Sequence, residues 1–253
     1  MIDPERVAAA ARDLGPRDAQ FLARAYAGGT DRYLSRLSAV GFMGLDNVLD
    51  AGCGFGQWSL ALARLCGRVT AVDDDPARVG VALALAAGTP NLSVRHGSIE
   101  ALPFPDATFD GVFCYSVIYY TDVRRALREL SRVLKPRGAL YVCSNGLGWY
   151  VYNIIAGPNR TQNFDPRTYG LNALWTSARY RALGIPPRHG ASVVTSRRWL
   201  SHLIRSNGLE VLGVGPEGSI HVNGTGAPQP FFRDRYWGLE GVSEWLARKP
   251  SAA

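Results

Sequence analysis

The chain has 253 residues, 47% of them hydrophobic and 19% charged, an ordinary globular balance that excludes disordered and fibrous classes, and at this length roughly 70–75% of the unfolded surface can be buried without staples. The formal net charge of +7 raises a nucleic-acid partner, but the basic residues come as pairs such as Arg124-Arg125 and Arg197-Arg198 rather than tracts, and an anionic small substrate would draw on the same charge. Four scattered cysteines without a CxxC pair, a start with no basic-then-apolar leader and no apolar run near the roughly 20 residues of a membrane helix lead us to expect a cytoplasmic protein with no metal, no disulfide framework and no membrane partner.

The first 45 or so residues read as helices able to lie over the mouth of a sheet. Asn47 to Ala51 is a short apolar run ended by glycines, a buried strand. Gln57 to Cys66 places Trp58, Leu60, Leu62 and Leu65 at helical spacing. Val69 to Val72 is a second strand, closed by Asp73-Asp74-Asp75-Pro76; Pro76 suits a helix's first turn and an acidic residue before it can cap. Ala77 to Ala87 reads as helix, Asn91 to Arg95 as strand and Asp110 to Tyr115 as strand. Thr121 or Asp122 caps a helix to about Leu134, ended at Lys135-Pro136-Arg137-Gly138, and Ala139 to Cys143 is a fifth strand. After Ser144 the pattern breaks. Residues 145–195 are rich in Tyr, Trp, Asn, Pro and Arg with no clean period, and are too aromatic for a disordered spacer. Regularity returns with a helix from Ser196 to about Asn207, a strand from Leu209 to Val214 and a last short strand near Glu244 to Pro250.

Such β-α alternation predicts an α/β fold: a Rossmann-like, doubly wound, mostly parallel seven-stranded sheet with N-terminal helices and a lid inserted after strand five. The expected organisation is a single domain, 1–253, made of a helical cap (1–45), a cofactor-binding core (46–144), a substrate-lid insertion (145–195) and a C-terminal part of the core (196–253).

In open α/β sheets ligands bind beyond the carboxyl ends of the strands. There the chain reads Asp50-Ala51-Gly52-Cys53-Gly54-Phe55-Gly56. The G-x-G-x-G spacing lets a ligand approach the backbone. It lacks the glycine of a dinucleotide G-x-G-x-x-G, since Gln57 stands there, and it lacks the Gly-Lys-Ser/Thr ending of a P-loop. Asp73 ends the second strand, where a carboxylate can accept hydrogen bonds from both hydroxyls of a ribose. Asp74 is counted with it at the same site, although Asp74 and Asp75 could equally serve as helix caps.

These segments carry a resemblance. Val48 to Gly56 resembles the first signature motif of class I S-adenosylmethionine-dependent methyltransferases, and Ala71-Val72-Asp73 resembles their second. Gly97-Ser98-Ile99-Glu100-Ala101-Leu102-Pro103-Phe104, Phe109 to Cys114 and Leu134-Lys135-Pro136-Arg137-Gly138 resemble three more, in the right order, over about residues 45 to 145. The size and the insertion after strand five are similar to the small-molecule branch. The resemblance implies S-adenosylmethionine as cofactor and S-adenosylhomocysteine as product. It implies that Gly52 and Gly54 line the methionine moiety, that Asp50 orients the loop and the cofactor's amino group, and that Asp73 holds the ribose. Ser98, where the family commonly has Asp, would accept from the adenine amino group, and Ile99 would pack on the ring. Cys114 would sit over the methionine through backbone contacts, its side chain itself reading as a small buried hydrophobe, and Tyr115 is counted beside it. Tyr26 and Tyr33, from the N-terminal helices, would help close the site.

Methyl transfer needs chiefly alignment of the nucleophile, with a base where the acceptor is protonated. Tyr119 and His189 are the catalytic candidates; both also admit plain packing or loop roles. His221 is a weaker one. Tyr120, Trp149, Tyr152 and Trp175, with other aromatic and arginine residues of the insertion such as Tyr169, make a substrate lid suited to a flat aromatic or anionic molecule. The expected function is methylation of an O, N or C atom of a small metabolite by a monomer or homodimer. An RNA or protein methyltransferase, and a non-catalytic cofactor-binding protein, remain alternatives. Cys114-Tyr115-Ser116 departs from the Asn/Asp-Pro-Pro-Tyr/Phe of amino-methylating nucleic-acid enzymes.

Overall fold

The structure is a computed structural model that describes residues 4–188, 190–222, 227 and 229–251. Three helices come first: α1 (Pro4–Ala10), α2 (Pro16–Ala27) and α3 (Asp31–Ala39). The core then alternates as expected: β1 (Asn47–Ala51), α4 (Gln57–Leu65), β2 (Arg68–Asp73), α5 (Pro76–Ala86), β3 (Leu92–His96) and β4 (Phe109–Tyr115). A 3-10 turn (Ile118–Tyr120) leads into α6 (Val123–Val133) and β5 (Leu134–Asn145). The inserted segment holds α7 (Leu147–Ala156) and α8 (Pro166–Leu183), after which come α9 (Arg197–Ser206), β6 (Glu210–Pro216), a small hairpin of β7 (Arg235–Tyr236) and β8 (Leu239–Glu240), and β9 (Val242–Arg248).

Seven strands form one sheet in the order β3-β2-β1-β4-β5-β9-β6. The first five pair in parallel, while β9 pairs antiparallel with both β5 and β6. The order reverses at β1, so the carboxyl ends of β1 and β4 border the crevice where such sheets take ligands.

Strand residues alternate between two apolar layers, as the pleat requires. Along β4 and β5, Val112, Cys114, Leu140 and Val142 pack with Leu127 and Leu130 of α6 and Leu200 and Ile204 of α9. Phe113, Tyr141 and Cys143 face the other way, onto Leu37 of α3 and Trp58 and Leu62 of α4. Helix starts are sealed by side chains. Asp122 accepts from the N–H groups of Arg124 and Arg125, Asp75 from those of Ala77 and Arg78, and Ser196 from that of Trp199. Thus Asp122, rather than Thr121, caps α6.

The insertion is more regular than its sequence. The buried positions of α8 include Gly170, Ala173, Thr176, Ser177 and Tyr180, a helical stripe made mostly of small and polar residues. Gly170 is small because α7 crosses there: a Cβ would sit 2.6 Å from Ile154 Cγ1 and 2.8 Å from the Tyr150 carbonyl oxygen. The chain returns beside the 3-10 turn, where Val193 N–H donates to the Tyr119 carbonyl at 2.8 Å, and reaches β5 where Thr195 N–H donates to the Asn145 carbonyl at 3.0 Å.

A buried polar knot ties the N-terminal helices to the sheet. Arg36 of α3 and Glu244 of β9 form an ion pair with both side chains fully buried. Glu244 also accepts from the Tyr141 hydroxyl at 2.6 Å and from the Ile220 N–H at 2.6 Å. Among the described residues no helix is long and apolar enough to cross a membrane.

Candidate active site

The loop after β1 is held from β2. The N–H groups of Gly52 and Cys53 both donate to the Val72 carbonyl, at 2.7 and 3.0 Å. Gly54 N–H donates to Asp73 Oδ2 at 2.8 Å, and the other carboxylate oxygen accepts from Asp75 N–H at 3.1 Å. Gly52 has φ +81°, and a Cβ there would meet the Val117 methyls at 2.5 Å. Gly54 has φ +54°, yet a Cβ there would meet nothing within 4 Å. The backbone at Gly54 therefore borders open space that a side chain would fill.

Below the loop lies Asp50, 2% exposed, accepting from the Ser59 hydroxyl at 2.6 Å. Burial pushes its carboxyl up to about 7; the Ser59 hydrogen bond opposes this and the charge of Asp73 adds to it. Burial also raises Asp73, against the hydrogen bonds from Gly54 and Asp75 and the charge of Arg78.

A cavity of about 490 Å³ opens above this loop, within the usual range for small-ligand sites. Gly52, Asp73, Asp74, Ser98 and Ile99 form its core side, and Val117, Tyr120 and Thr121 wall it beyond β4. The Ser98 hydroxyl accepts from Glu100 N–H at 3.2 Å, which leaves its own O–H free to turn toward a ligand. The cover comes from Arg17 of α2 and from the insertion, through Asn163, Phe164, Thr168, Tyr169 and Asn172. The hydroxyls of Tyr120 and Tyr169 are 3.3 Å apart on this wall. Four lining carboxylates, Asp73, Asp74, Asp75 and Asp165, face two lining arginines, Arg17 and Arg78. Arg78 already approaches Asp18 and Asp75, each at 3.5 Å. Asp165 in turn pairs with Arg160 at 3.4 Å.

Gly52, Asp73, Asp74, Ser98, Ile99 and Tyr120 thus share one cavity, while other expected site residues stand elsewhere. The Cys114 side chain is fully buried in the apolar layer on one face of the sheet, in keeping with its reading as a small buried hydrophobe. Tyr115, its neighbour on the strand, must point to the opposite face; it stacks with Phe113 and Tyr141, and its hydroxyl donates to Glu217 at 3.0 Å. Tyr119 is 6% exposed and turned into the core, with burial raising its hydroxyl well above the ordinary value, so it offers no base to the cavity. Tyr26 donates to the Phe55 carbonyl at 2.9 Å and braces the glycine loop from outside. Tyr33 donates to the Ala25 carbonyl and packs between Trp58 and Phe231.

The lid aromatics divide. Trp149 packs edge-on to Phe232, and Tyr152 stacks on Tyr236 at 4.4 Å, so both anchor the insertion to the β7–β8 hairpin region instead of lining the cavity. Trp175 is 70% exposed on the outer face of α8. His189 lies outside the described residues; its neighbour Gly190 lines the cavity. His221 is not among the lining residues, and its Nε2 is buried without a hydrogen-bond partner. Arg17, Phe164 and Asn172 were not legible as site residues. The only sequence signal was the aromatic and arginine content of the two segments that carry them.

Residues 49–142 match the methyltransferase domain family. The chain is 40% identical over 94 residues to an uncharacterized methyltransferase, YcgJ, of Bacillus subtilis, covering 36% of this chain and 37% of that protein. It is 34% identical over 129 residues to a probable S-adenosylmethionine-dependent methyltransferase of Mycolicibacterium smegmatis, covering 50% and 47%. These matches span less than half the length of either relative. The fold is also that of a geranyl diphosphate methyltransferase solved in complex with S-adenosylmethionine, with a TM-score of 0.61 at 18% identity over 96% of this chain and 94% of that one.

Proposed function

We propose, from the premise that residues 49–142 form a class I S-adenosylmethionine-dependent methyltransferase domain, that the chain transfers a methyl group from that cofactor to an O, N or C atom of a small organic molecule. The observation that carries the reading is the joint geometry of Gly54 and Asp73. Gly52 of the same loop and Asp73 both line the cavity, and the Asp73 carboxylate fixes the loop by accepting from Gly54 N–H. Each Asp73 oxygen accepts one backbone N–H and keeps a further lone pair for a ribose hydroxyl.

Bound there, the cofactor supplies a sulfonium-activated methyl group. The chain's residues do the rest. Gly52 and Gly54 keep the loop free of side chains. Asp50, a buried carboxyl behind the loop, balances positive charge. Ser98 and Ile99 receive the base. Val117, Tyr120 and Tyr169 form the wall next to the loop and are the proposed acceptor contacts. Holding two reactants in register can be worth roughly 7–11 kcal/mol of barrier. Burial raises the Tyr169 hydroxyl far above its ordinary value, with the neighbouring tyrosines adding to the effect, so it acts as a neutral hydrogen-bonding group. His189 stays the proposed base for a protonated acceptor, on the ground that the adjacent Gly190 lines the cavity.

The acceptor wall suits a small molecule with a flat or aromatic part that can pack on Tyr120 and Tyr169. A screen with methyl-labelled cofactor against phenols, aromatic amines, aromatic carboxylates, RNA and protein tests this. Label is expected on small aromatic molecules; transfer confined to RNA or protein would overturn the substrate reading.

A further inference from the structure

One end of the cavity is closed by two segments far apart in sequence. The Arg17 guanidinium of α2 lies 3.9 Å from the centroid of the Phe164 ring, just ahead of α8. Arg24, seven residues on and thus about two turns along the same helix face, donates to Asn159 Oδ1 at 3.3 Å. One face of α2 therefore grips the turn between α7 and α8 at two points.

The turn is itself shaped to hold the ring. Gly157 ends α7 with φ +58° and turns the chain. Thr161 and Phe164 exchange backbone hydrogen bonds at 3.0 and 3.3 Å. Asp165 caps α8 by accepting from Arg167 N–H at 2.9 Å. The Tyr169 ring, one turn into α8, is 5.6 Å from that of Phe164. Arg17, Asn163 and Phe164 line the same cavity as Ser98 and Ile99 of the core.

We propose that Phe164, backed by Arg17, forms the aromatic wall against the cofactor's adenine, so that the insertion after β5 closes over the methyl donor and not only over the acceptor. The inference rests on the methyl-donor reading of this cavity. An adenine is flat and weakly polar; Ile99 gives it an apolar contact from the core, Phe164 gives an aromatic contact, and the Arg17 guanidinium over that ring, itself on the cavity lining, extends the wall. Because the wall is built from two segments, a bound cofactor ties α2 to the insertion. Entry and product release require the Arg17–Phe164 contact to part.

Titration calorimetry with S-adenosylhomocysteine tests this on the full chain. Phe164→Ala is expected to weaken binding roughly 5- to 150-fold, the range for losing one base–aromatic stack, with Phe164→Trp restoring it to within a few-fold. Arg17→Gln weakens binding less. Leu171→Ala, on the exposed face of α8, leaves it unchanged. Thermal unfolding confirms that each variant folds. Unaltered affinity in Phe164→Ala, beside a clear loss in Asp73→Ala, would overturn the wall and leave the donor site standing. No binding by the unaltered chain would instead remove the donor reading itself.

Discussion

The backbone N–H of Gly54 donates to Asp73 Oδ2 at 2.8 Å, so the loop after β1 and the carboxylate ending β2 are one unit. Asp73 has two places in the structure: it sets the loop and it lines the cavity. Asp73→Ala is therefore expected to lower S-adenosylhomocysteine affinity ten-fold or more, consistent with about 1.5–3 kcal/mol for a hydrogen bond to a charged group. Asp73→Asn should recover part of the loss, because its amide oxygen can still accept from Gly54. Equal affinities in all three proteins would refute the assignment.

Gly52 tests the loop sterically. Its φ of +81° and the Val117 methyls 2.5 Å from a built Cβ make Gly52→Ala doubly unfavourable. The left-handed backbone alone costs roughly 1–2 kcal/mol. A fall of several degrees in the unfolding midpoint is expected, at about 2–4 °C per kcal/mol for a chain near this size, together with loss of cofactor binding. An unshifted midpoint would mean that the loop is laxer than described.

Asp50 predicts a pH dependence. Burial raises its carboxyl to about 7, above the roughly 3.9 of an unfolded aspartate. Between about pH 4 and 7 the folded apoprotein binds more protons than the unfolded chain, so this group's contribution to stability falls as pH rises through that window. A cation bound beside it favours the carboxylate. Cofactor binding should therefore release a proton near neutral pH, and affinity should rise from about pH 6 to 8. Calorimetry in two buffers of different ionisation heat measures the proton. Its absence, or its persistence in Asp50→Asn, would contradict this role.

The Arg36–Glu244 pair is a stability element. Both side chains are fully buried, so Arg36→Met leaves a buried carboxylate without its cation. Such a loss costs about 3–5 kcal/mol. Chemical unfolding should show it directly. A change under about 1 kcal/mol would mean that Glu244 takes up a proton and that Tyr141 and Ile220 suffice to hold it.

Two neighbouring tyrosines separate wall from core. Tyr120 lines the cavity while Tyr119 is turned away. Once an acceptor is identified, Tyr120→Phe should raise its KM several-fold, whereas Tyr119→Phe should leave kcat and KM within about two-fold. The reverse pattern would reinstate Tyr119 as a catalytic residue.

The core was legible because its signals are local. The apolar run ending in glycines marks β1 at Asn47–Ala51, and Pro76 after three aspartates marks the start of α5. The seven-stranded, mostly parallel sheet follows from the alternation; the antiparallel place of β9 between β5 and β6 is a long-range pairing that no local pattern encodes. Helix α8 has no apolar period in the sequence because its buried stripe is largely glycine, alanine, threonine and serine, small or polar residues that carry no strong hydrophobic signal. At the site, Gly54 and Asp73 were legible as motif positions. Tyr115 and Tyr33 stand outside the cavity lining: the pleat turns Tyr115 to the sheet face opposite Cys114, and Tyr33 of α3 packs between Trp58 and Phe231, which no local pattern encodes. Phe164 was illegible for the same reason in reverse: only the fold brings it to Ile99's cavity.

The most direct test of the account is equilibrium binding of S-adenosylhomocysteine to the unaltered chain. One site per chain, weakened ten-fold or more in Asp73→Ala, is the predicted result; no saturable binding at millimolar ligand would contradict the central claim.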